Sequence, residues 1–313
     1  MSIVTSRLFR TVVSAGLLVY MFYRFGPGVI AESMGSSDPR YLAGALFVFI
    51  ASGVLGACQW GILLRFHGIH PGFLGTVSRY FTGLFFNYIL PGFVGGDVVR
   101  VYQASQVSGR TTQAFSSTLA DRVIGLLVLV LFSLGAFLLM GRSTADETFP
   151  VAVVMFLMLA GFIMLFRVRP AGRFIDRVFG RFLPQGFREK TAAVYGEMHE
   201  LTRSPSTLVL VLGTSLVIQL TRIGVHYLCG RAVGIESGFL SFALFVPLME
   251  IVASLPVSIG GVGVRETVGV TLFSTIGVAR PDVVAYSLLA TLTGFIGSVP
   301  GGIAFGLGGG RKR

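Results

Sequence analysis

Charge is what this sequence is shortest of. Only 12% of its 313 residues are Asp, Glu, Lys or Arg, about half the ~25% usual in a soluble globular protein, and that scarcity excludes an ordinary water-facing fold. Cysteine is nearly absent too: Cys58 and Cys229 have no ligand spacing and form no framework of pairs, so both read as buried thiols. The four histidines, His67, His70, His199 and His226, make no metal-ligand motif. No Walker lysine follows the glycines, no G-x-G-x-x-G stands in a strand-to-helix context, and no serine occupies a G-x-S-x-G elbow. Neither a metal nor a cofactor is expected, and the signatures of soluble enzymes are missing.

What the chain has in quantity is apolar bulk: 53% hydrophobic residues, 28 of them phenylalanine. Apolar runs of roughly twenty residues, the length that crosses a bilayer, recur from end to end. No stretch between them reaches the ~50 residues of a small domain. The sequence therefore predicts one all-α polytopic membrane unit over residues 1–313. Spans are predicted at about 8–26, 41–64, 118–141, 149–166, 206–228, 240–256, 264–280 and 284–306, which makes eight crossings. The first follows Arg7 and Arg10 with no clear small-x-small cleavage site after it, so it reads as an anchor rather than a removable signal.

The formal charge of +11 raises nucleic acid as a partner, and the placement of the charge answers it. With these spans, 19 of the 25 basic residues fall on one face, five (Arg24, Arg40, Arg142, Arg231 and Arg280) on the other, and Arg222 within a span. That is the positive-inside pattern, with both termini in the cytoplasm. A nucleic-acid surface is not needed to explain it. The basic loop at about 167–205 carries Arg173, Arg177 and Arg181 at four-residue spacing beside Phe174, Phe179 and Phe182. Two readings stand for it, a surface helix on the anionic leaflet and a solvated connector.

One segment does not fit the crossing scheme. After Tyr80 the chain runs F-T-G-L-F-F-N-Y-I-L and then meets Pro91, with Gly92, Gly95 and Gly96 close behind. Ten helical residues cover only about half the hydrocarbon thickness, so a re-entrant or broken helix is predicted there. Such backbone persists at membrane depth only against protein or a water-filled cavity. The same punctuation returns later: Leu90, Pro91, Gly95, Gly96 and Arg100 match Leu255, Pro256, Gly260, Gly261 and Arg265 at identical offsets, L-P-x3-G-G-x3-R. This suggests an internal repeat, parallel or inverted. Repeats with broken helices are how many carriers build a central site. The glycine pairs would let helix N-termini approach a lipid phosphate or pyrophosphate, or would simply allow close helix packing.

Polar residues inside spans narrow the candidates. Asp97 and Arg100 lie three apart, Asp121 and Arg122 open the span after the first motif, and Arg265 and Glu266 open the span after the second. These clusters read either as a gate or headgroup shell facing the protein interior, or as anchors in the headgroup layer. Deeper lie Arg222, with Gln219 and His226 on much the same helical face, and Glu250. They could pair with each other; an unpaired Glu250 would be a candidate for proton coupling. Asn87 and Gln59 are placed to satisfy backbone groups freed at the break.

In these stretches the chain resembles the transmembrane-region family of lysylphosphatidylglycerol synthase, which are flippase-like membrane proteins. The resemblance rests on Asn87–Arg100 (N-Y-I-L-P-G-F-V-G-G-D-V-V-R), Leu119–Leu126 (L-A-D-R-V-I-G-L) and Leu255–Glu266 (L-P-V-S-I-G-G-V-G-V-R-E). It covers nearly the whole chain. It implies an inner-membrane protein and marks Asn87, Pro91, Gly95, Gly96, Asp97 and Arg100, then Asp121 and Arg122, then Pro256, Ser258, Gly260, Gly261, Gly263, Arg265 and Glu266. A full synthase would also need a large soluble aminoacyltransferase domain, and these 313 residues hold none.

Three functions follow as expectations. The first is a translocase of a phospholipid or lipid-linked glycan, its substrate anionic. The second is a non-catalytic accessory subunit of an envelope lipid or glycan synthesis enzyme. The third is a membrane-embedded polyprenyl-phosphate transferase, for which the sequence shows no donor or metal site.

Overall fold

The computed structural model describes residues 34–90, 95–140, 199–254 and 261–308, with isolated positions 28, 32, 153, 157 and 196. In chain order the helices are α1 (Pro39–Phe66), α2 (Phe73–Ile89), α3 (Gly95–Ser108), α4 (Thr111–Met140), α5 (Pro205–Ala232), α6 (Phe239–Ala253), α7 (Val264–Ser274) and α8 (Arg280–Gly308). Among the described residues four helices are long and apolar enough to cross a membrane, namely α1, α4, α5 and α8. The protein is thus an all-α, multi-pass membrane protein. The predicted spans at 8–26 and 149–166, and most of the basic loop at 167–205, lie outside the described residues.

The long helices begin where the sequence supplies a start. Pro39 and Pro205 stand at the first turns of α1 and α5, where a missing N–H costs nothing. Asp38 caps α1 by accepting from the Arg40 N–H at 2.8 Å. These two helices run antiparallel: the Asp38 N–H donates to the Ala232 carbonyl at 2.9 Å, and the Thr214 hydroxyl reaches Gln59 at 3.2 Å. α4 also runs against α1, with Trp60 bonded to Thr118 and Gln59 to Asp121.

Between the long helices sit two hairpins of short ones. α2 climbs from the His67 end of α1, with Tyr80 packed on Gly56 and Phe81 on Gly53. α3 returns to that end, where Arg110 just beyond it donates to the Gly68 carbonyl at 3.3 Å. The second hairpin starts from the opposite end of the bundle. Phe239 and Phe242 at the head of α6 pack on Tyr227, and Phe273 at the end of α7 comes back to within 5.0 Å of Phe242 and 5.1 Å of Phe245, ring centre to ring centre. The hairpins therefore enter from opposite faces and meet inside.

This alters two of the predicted spans. Residues 240–256 and 264–280 were expected to cross singly, but α6 and α7 have 15 and 11 residues, roughly 22 and 16 Å at 1.5 Å per residue, against a hydrocarbon core of about 30 Å. They are the arms of one hairpin. Hydropathy alone does not separate a short apolar arm such as α6 from a crossing, whereas α7 carries Arg265 and Glu266 in its first turn. The first break was expected between Tyr80 and Gly96, and the ends of α2 and α3 bracket it.

Glycines set the closest approaches. A Cβ on Gly96 would run into the Gly83 carbonyl oxygen, and one on Gly301 of α8 into the backbone of Phe81. The Thr82 hydroxyl donates to the Gly301 carbonyl at 3.0 Å across that contact. The core beside the second hairpin is aromatic, with Phe242, Phe245, Phe273 and Tyr286 fully buried. The outer face carries Phe47, Leu74, Leu138 and Leu139, each more than 70% exposed, the exposure expected of a surface solvated by lipid.

Two outcomes check this architecture. Gly96→Ala should lower thermal stability in detergent by an overpacking cost of about 1–3 kcal/mol, whereas Gly213→Ala, with nothing within 4 Å of the added carbon, should be neutral or raise it. In a Cys58→Ala, Cys229→Ala background, His70→Cys and Glu236→Cys, both at exposed positions leading into the hairpins, should react with an impermeant maleimide from opposite sides of the membrane. Labelling of both from one side would contradict opposed entry.

Candidate functional site

The tip of the first hairpin is held by side chains from four helices. Asn87 near the end of α2 accepts from the Gly96 N–H at 2.9 Å, so it satisfies one of the backbone donors freed where α3 begins. One turn on, Arg100 pairs with Asp97 and, at 3.2 Å, with Asp121 of α4. Arg122 closes the network by reaching the other Asp97 oxygen at 2.5 Å. Gln59 of α1 donates to Asp121 at 2.9 Å. The Arg100 guanidinium lies over two rings, 4.7 Å from the centre of Tyr80 and 5.2 Å from that of Trp60, a further attraction for a desolvated cation. Two arginines and two aspartates thus neutralise one another, all but the partly exposed Arg122 withdrawn from water.

Asp121 and Arg122 do not open their helix. α4 starts at Thr111, so they lie about 15 Å along it, well inside the bundle. Gln59 serves Asp121 rather than a freed backbone group. Gly96 works through close packing on Gly83, so the packing reading of the glycine pair accounts for this glycine.

The second tip is built on the same plan with different partners. Arg265, one residue into α7, donates to Glu250 of α6 through Nε at 2.6 Å and Nη2 at 3.4 Å, and to the Thr291 hydroxyl of α8 at 3.0 Å. His226 of α5 stands 3.4 Å from the same carboxylate. Glu266 turns the other way: it accepts from the Gly263 N–H at 2.6 Å and the Ser287 hydroxyl at 3.0 Å, fully buried. It is the capping acid of α7. Gly261 and Gly263 ahead of that helix have φ of 76° and 84°, values that a side chain would disfavour.

Both tips face one cavity of about 160 Å³. Arg100, Asp121 and Arg122 line it from one side, Glu250 and Arg265 from the other, and Arg222 from α5. Arg222 does not pair with Glu250, which Arg265 has taken. Its one described partner is the Tyr80 hydroxyl at 3.1 Å. Of the other residues marked in the sequence, Gly95 lies at the start of α3 against Leu90, while Pro91, Pro256, Ser258 and Gly260 lie outside the described residues. Sequence reasoning missed Tyr80, Trp60 and Thr291. Aromatic and hydroxyl side chains carry no signal in an apolar helix until an arginine is seen beside them.

Residues 7–302 match the family of the lysylphosphatidylglycerol synthase transmembrane region. A UPF0104 membrane protein of Methanothermobacter thermautotrophicus is 25% identical over 294 residues, covering 87% of this chain and 84% of the relative. One from Pyrococcus horikoshii is 24% identical over 315 residues, covering 93% and 94%. The broken helices and buried charge clusters lie within the matched region, and the chain belongs to the lysylphosphatidylglycerol synthase transmembrane-region family of flippase-like membrane proteins.

Proposed function

We propose that the protein carries a phospholipid or lipid-linked molecule between the leaflets of the cytoplasmic membrane, with the two hairpins acting as gates of an inverted repeat. The observation that carries this reading is the shared cavity: hairpins entering from opposite faces bring Arg100 and Arg265 to one place. Inverted repeats with discontinuous helices at a central site are the common plan of alternating-access carriers.

The element order supports the repeat. Each half has a 28-residue helix opening on proline, α1 and α5, then a hairpin opening on phenylalanine, then a long helix. In the sequence the L-P-x3-G-G-x3-R punctuation begins just after the first arm of each hairpin and ends in the second. Partner positions correspond as well, since Arg100 reaches Asp121 of α4 and Arg265 reaches Thr291 of α8. The antiparallel run of α1 against α5 favours the inverted relation over the parallel one.

The cavity supports a headgroup rather than a whole lipid. A volume of about 160 Å³ is below the ~300 Å³ at which drug-sized pockets begin, which suits a phosphate with a small substituent while the tails stay in the bilayer. Each hairpin is locked to its neighbours by its tip arginine, and a gate opens by breaking one lock. The two locks share no residue, so breaking one does not by itself break the other.

Protein reconstituted into vesicles is expected to accelerate leaflet exchange of a labelled anionic phospholipid, and Arg265→Ala to lose that acceleration at least tenfold while remaining folded. No acceleration across anionic, zwitterionic and polyprenyl-phosphate lipids would overturn the reading. A second outcome separates the lock from general damage. Arg265→Gln alone should cost stability on the order of 3 kcal/mol by stranding Glu250, and adding Glu250→Gln should restore most of that loss in thermal unfolding without restoring transport.

A further inference from the structure

The locks leave something over. Among the described residues the two carboxylates that line the cavity are already engaged, Asp121 by Arg100 and Gln59 and Glu250 by Arg265 and His226, and Asp97 behind them is held by Arg100 and Arg122. Arg222 has a phenol and no carboxylate among the described residues. A guanidinium in the middle of a membrane-crossing helix is costly without an anion or water, so the cavity favours negative charge.

Arg222 is also one step of a stripe. Ser215, Gln219, Arg222 and His226 follow one another by four, three and four residues on α5, which sets them on one helical face, and all four line the cavity. Ser215 Oγ, Gln219 Oε1 and His226 Nδ1 are buried with no partner from the protein, as is Ser52 Oγ across the cavity. Gln219 is held for this, its amide nitrogen donating to the Gly125 carbonyl at 3.1 Å and leaving the oxygen free. Buried polar atoms are costly to leave without partners, and four around one cavity describe a site for a ligand with hydroxyl groups as well as charge.

We propose that this stripe, with Ser52 and the Tyr80 hydroxyl opposite, binds the headgroup of a net-anionic phosphodiester lipid bearing hydroxyl groups, its phosphate on Arg222. Arginine's planar fork suits a phosphodiester's two free oxygens. The hydroxyls of the headgroup go to Ser52, Ser215 and Gln219. A headgroup carrying an ammonium finds no unengaged carboxylate among the described residues of the cavity and is disfavoured. The inference rests on the carrier reading only for the route the headgroup takes; the binding preference stands by itself.

The test uses the full chain in detergent and short-chain dihexanoyl lipids, read by isothermal titration calorimetry. Phosphatidylglycerol is expected to bind at least tenfold tighter than phosphatidylethanolamine or the lysyl ester of phosphatidylglycerol. It should also bind several-fold tighter than the methyl phosphodiester, which has no hydroxyl. Arg222→Gln should lose at least tenfold, with Arg222→Lys falling in between because it keeps the charge and loses the planar fork, and Ser52→Ala with Ser215→Ala should erase the preference over the methyl ester. Equal affinity for phosphatidylglycerol and its lysyl ester in the unmutated protein would overturn the proposal, as would full affinity in Arg222→Gln. Glycerol 1-phosphate binding as tightly as the lipid would overturn its lipid half. Selective binding without leaflet exchange would uphold this site and overturn the carrier reading.

Discussion

A guanidinium taken into hydrocarbon must be neutralised where it stands, and the architecture follows from meeting that demand twice. Arg100 and Arg265 sit at helix tips that end inside the bundle, each at least nine-tenths buried. Each has a counterion within its own hairpin, Asp97 for the first and Glu250 for the second, and a partner on a long helix, the Asp121 carboxylate on α4 and the Thr291 hydroxyl on α8. Pairing of this kind fixes where the tips lie, because moving either one away strands a charge at several kcal/mol. The broken backbone needs the same shelter, since lipid offers nothing to a free N–H. Asn87 on Gly96 and Glu266 on Gly263 supply it.

The remainder of the packing is arranged so that the tips can come close enough to be neutralised. Gly53 and Gly56 make room for Phe81 and Tyr80, and Gly301 lets α8 touch the backbone of α2. Tyr80 then does two jobs from one position, its ring beneath Arg100 and its hydroxyl on Arg222. Small residues at helix contacts are the ordinary means of association where no hydrophobic force separates helix from lipid.

Much of this was legible before any coordinates. The helix-breaking residues at Pro91 and Gly95-Gly96 announced a broken helix, because ten apolar residues cannot cross a bilayer, and α2 and α3 stop and start around them. The repeated arginine spacing pointed to Arg265 as the counterpart of Arg100. Pairing was not legible: Arg222 and Glu250 lie on helices adjacent in sequence, yet Glu250 goes to Arg265, which is on its own hairpin and nearer. Nor was the count of crossings, since α6 is apolar enough to pass for a span and only the ring contacts of Phe273 with Phe242 and Phe245 show that the chain doubles back. Ser52 and Ser215 were invisible for a different reason. A serine in an apolar helix ordinarily bonds its own backbone, and only the cavity reveals that these two do not.

Ser215 and Gln219 lie on α5, a long helix, while Arg100 and Arg265 belong to the two short-helix hairpins. Neither Ser215 nor Gln219 bonds to the ion pairs that hold the hairpin tips; Gln219 donates to the Gly125 carbonyl instead. A lineage can exchange either residue and reshape the cavity wall while Asp97, Arg100, Glu250 and Arg265 stay paired as they are. Relatives alike in only a quarter of their residues across nearly their whole length can thus inherit one machine and differ in what it handles.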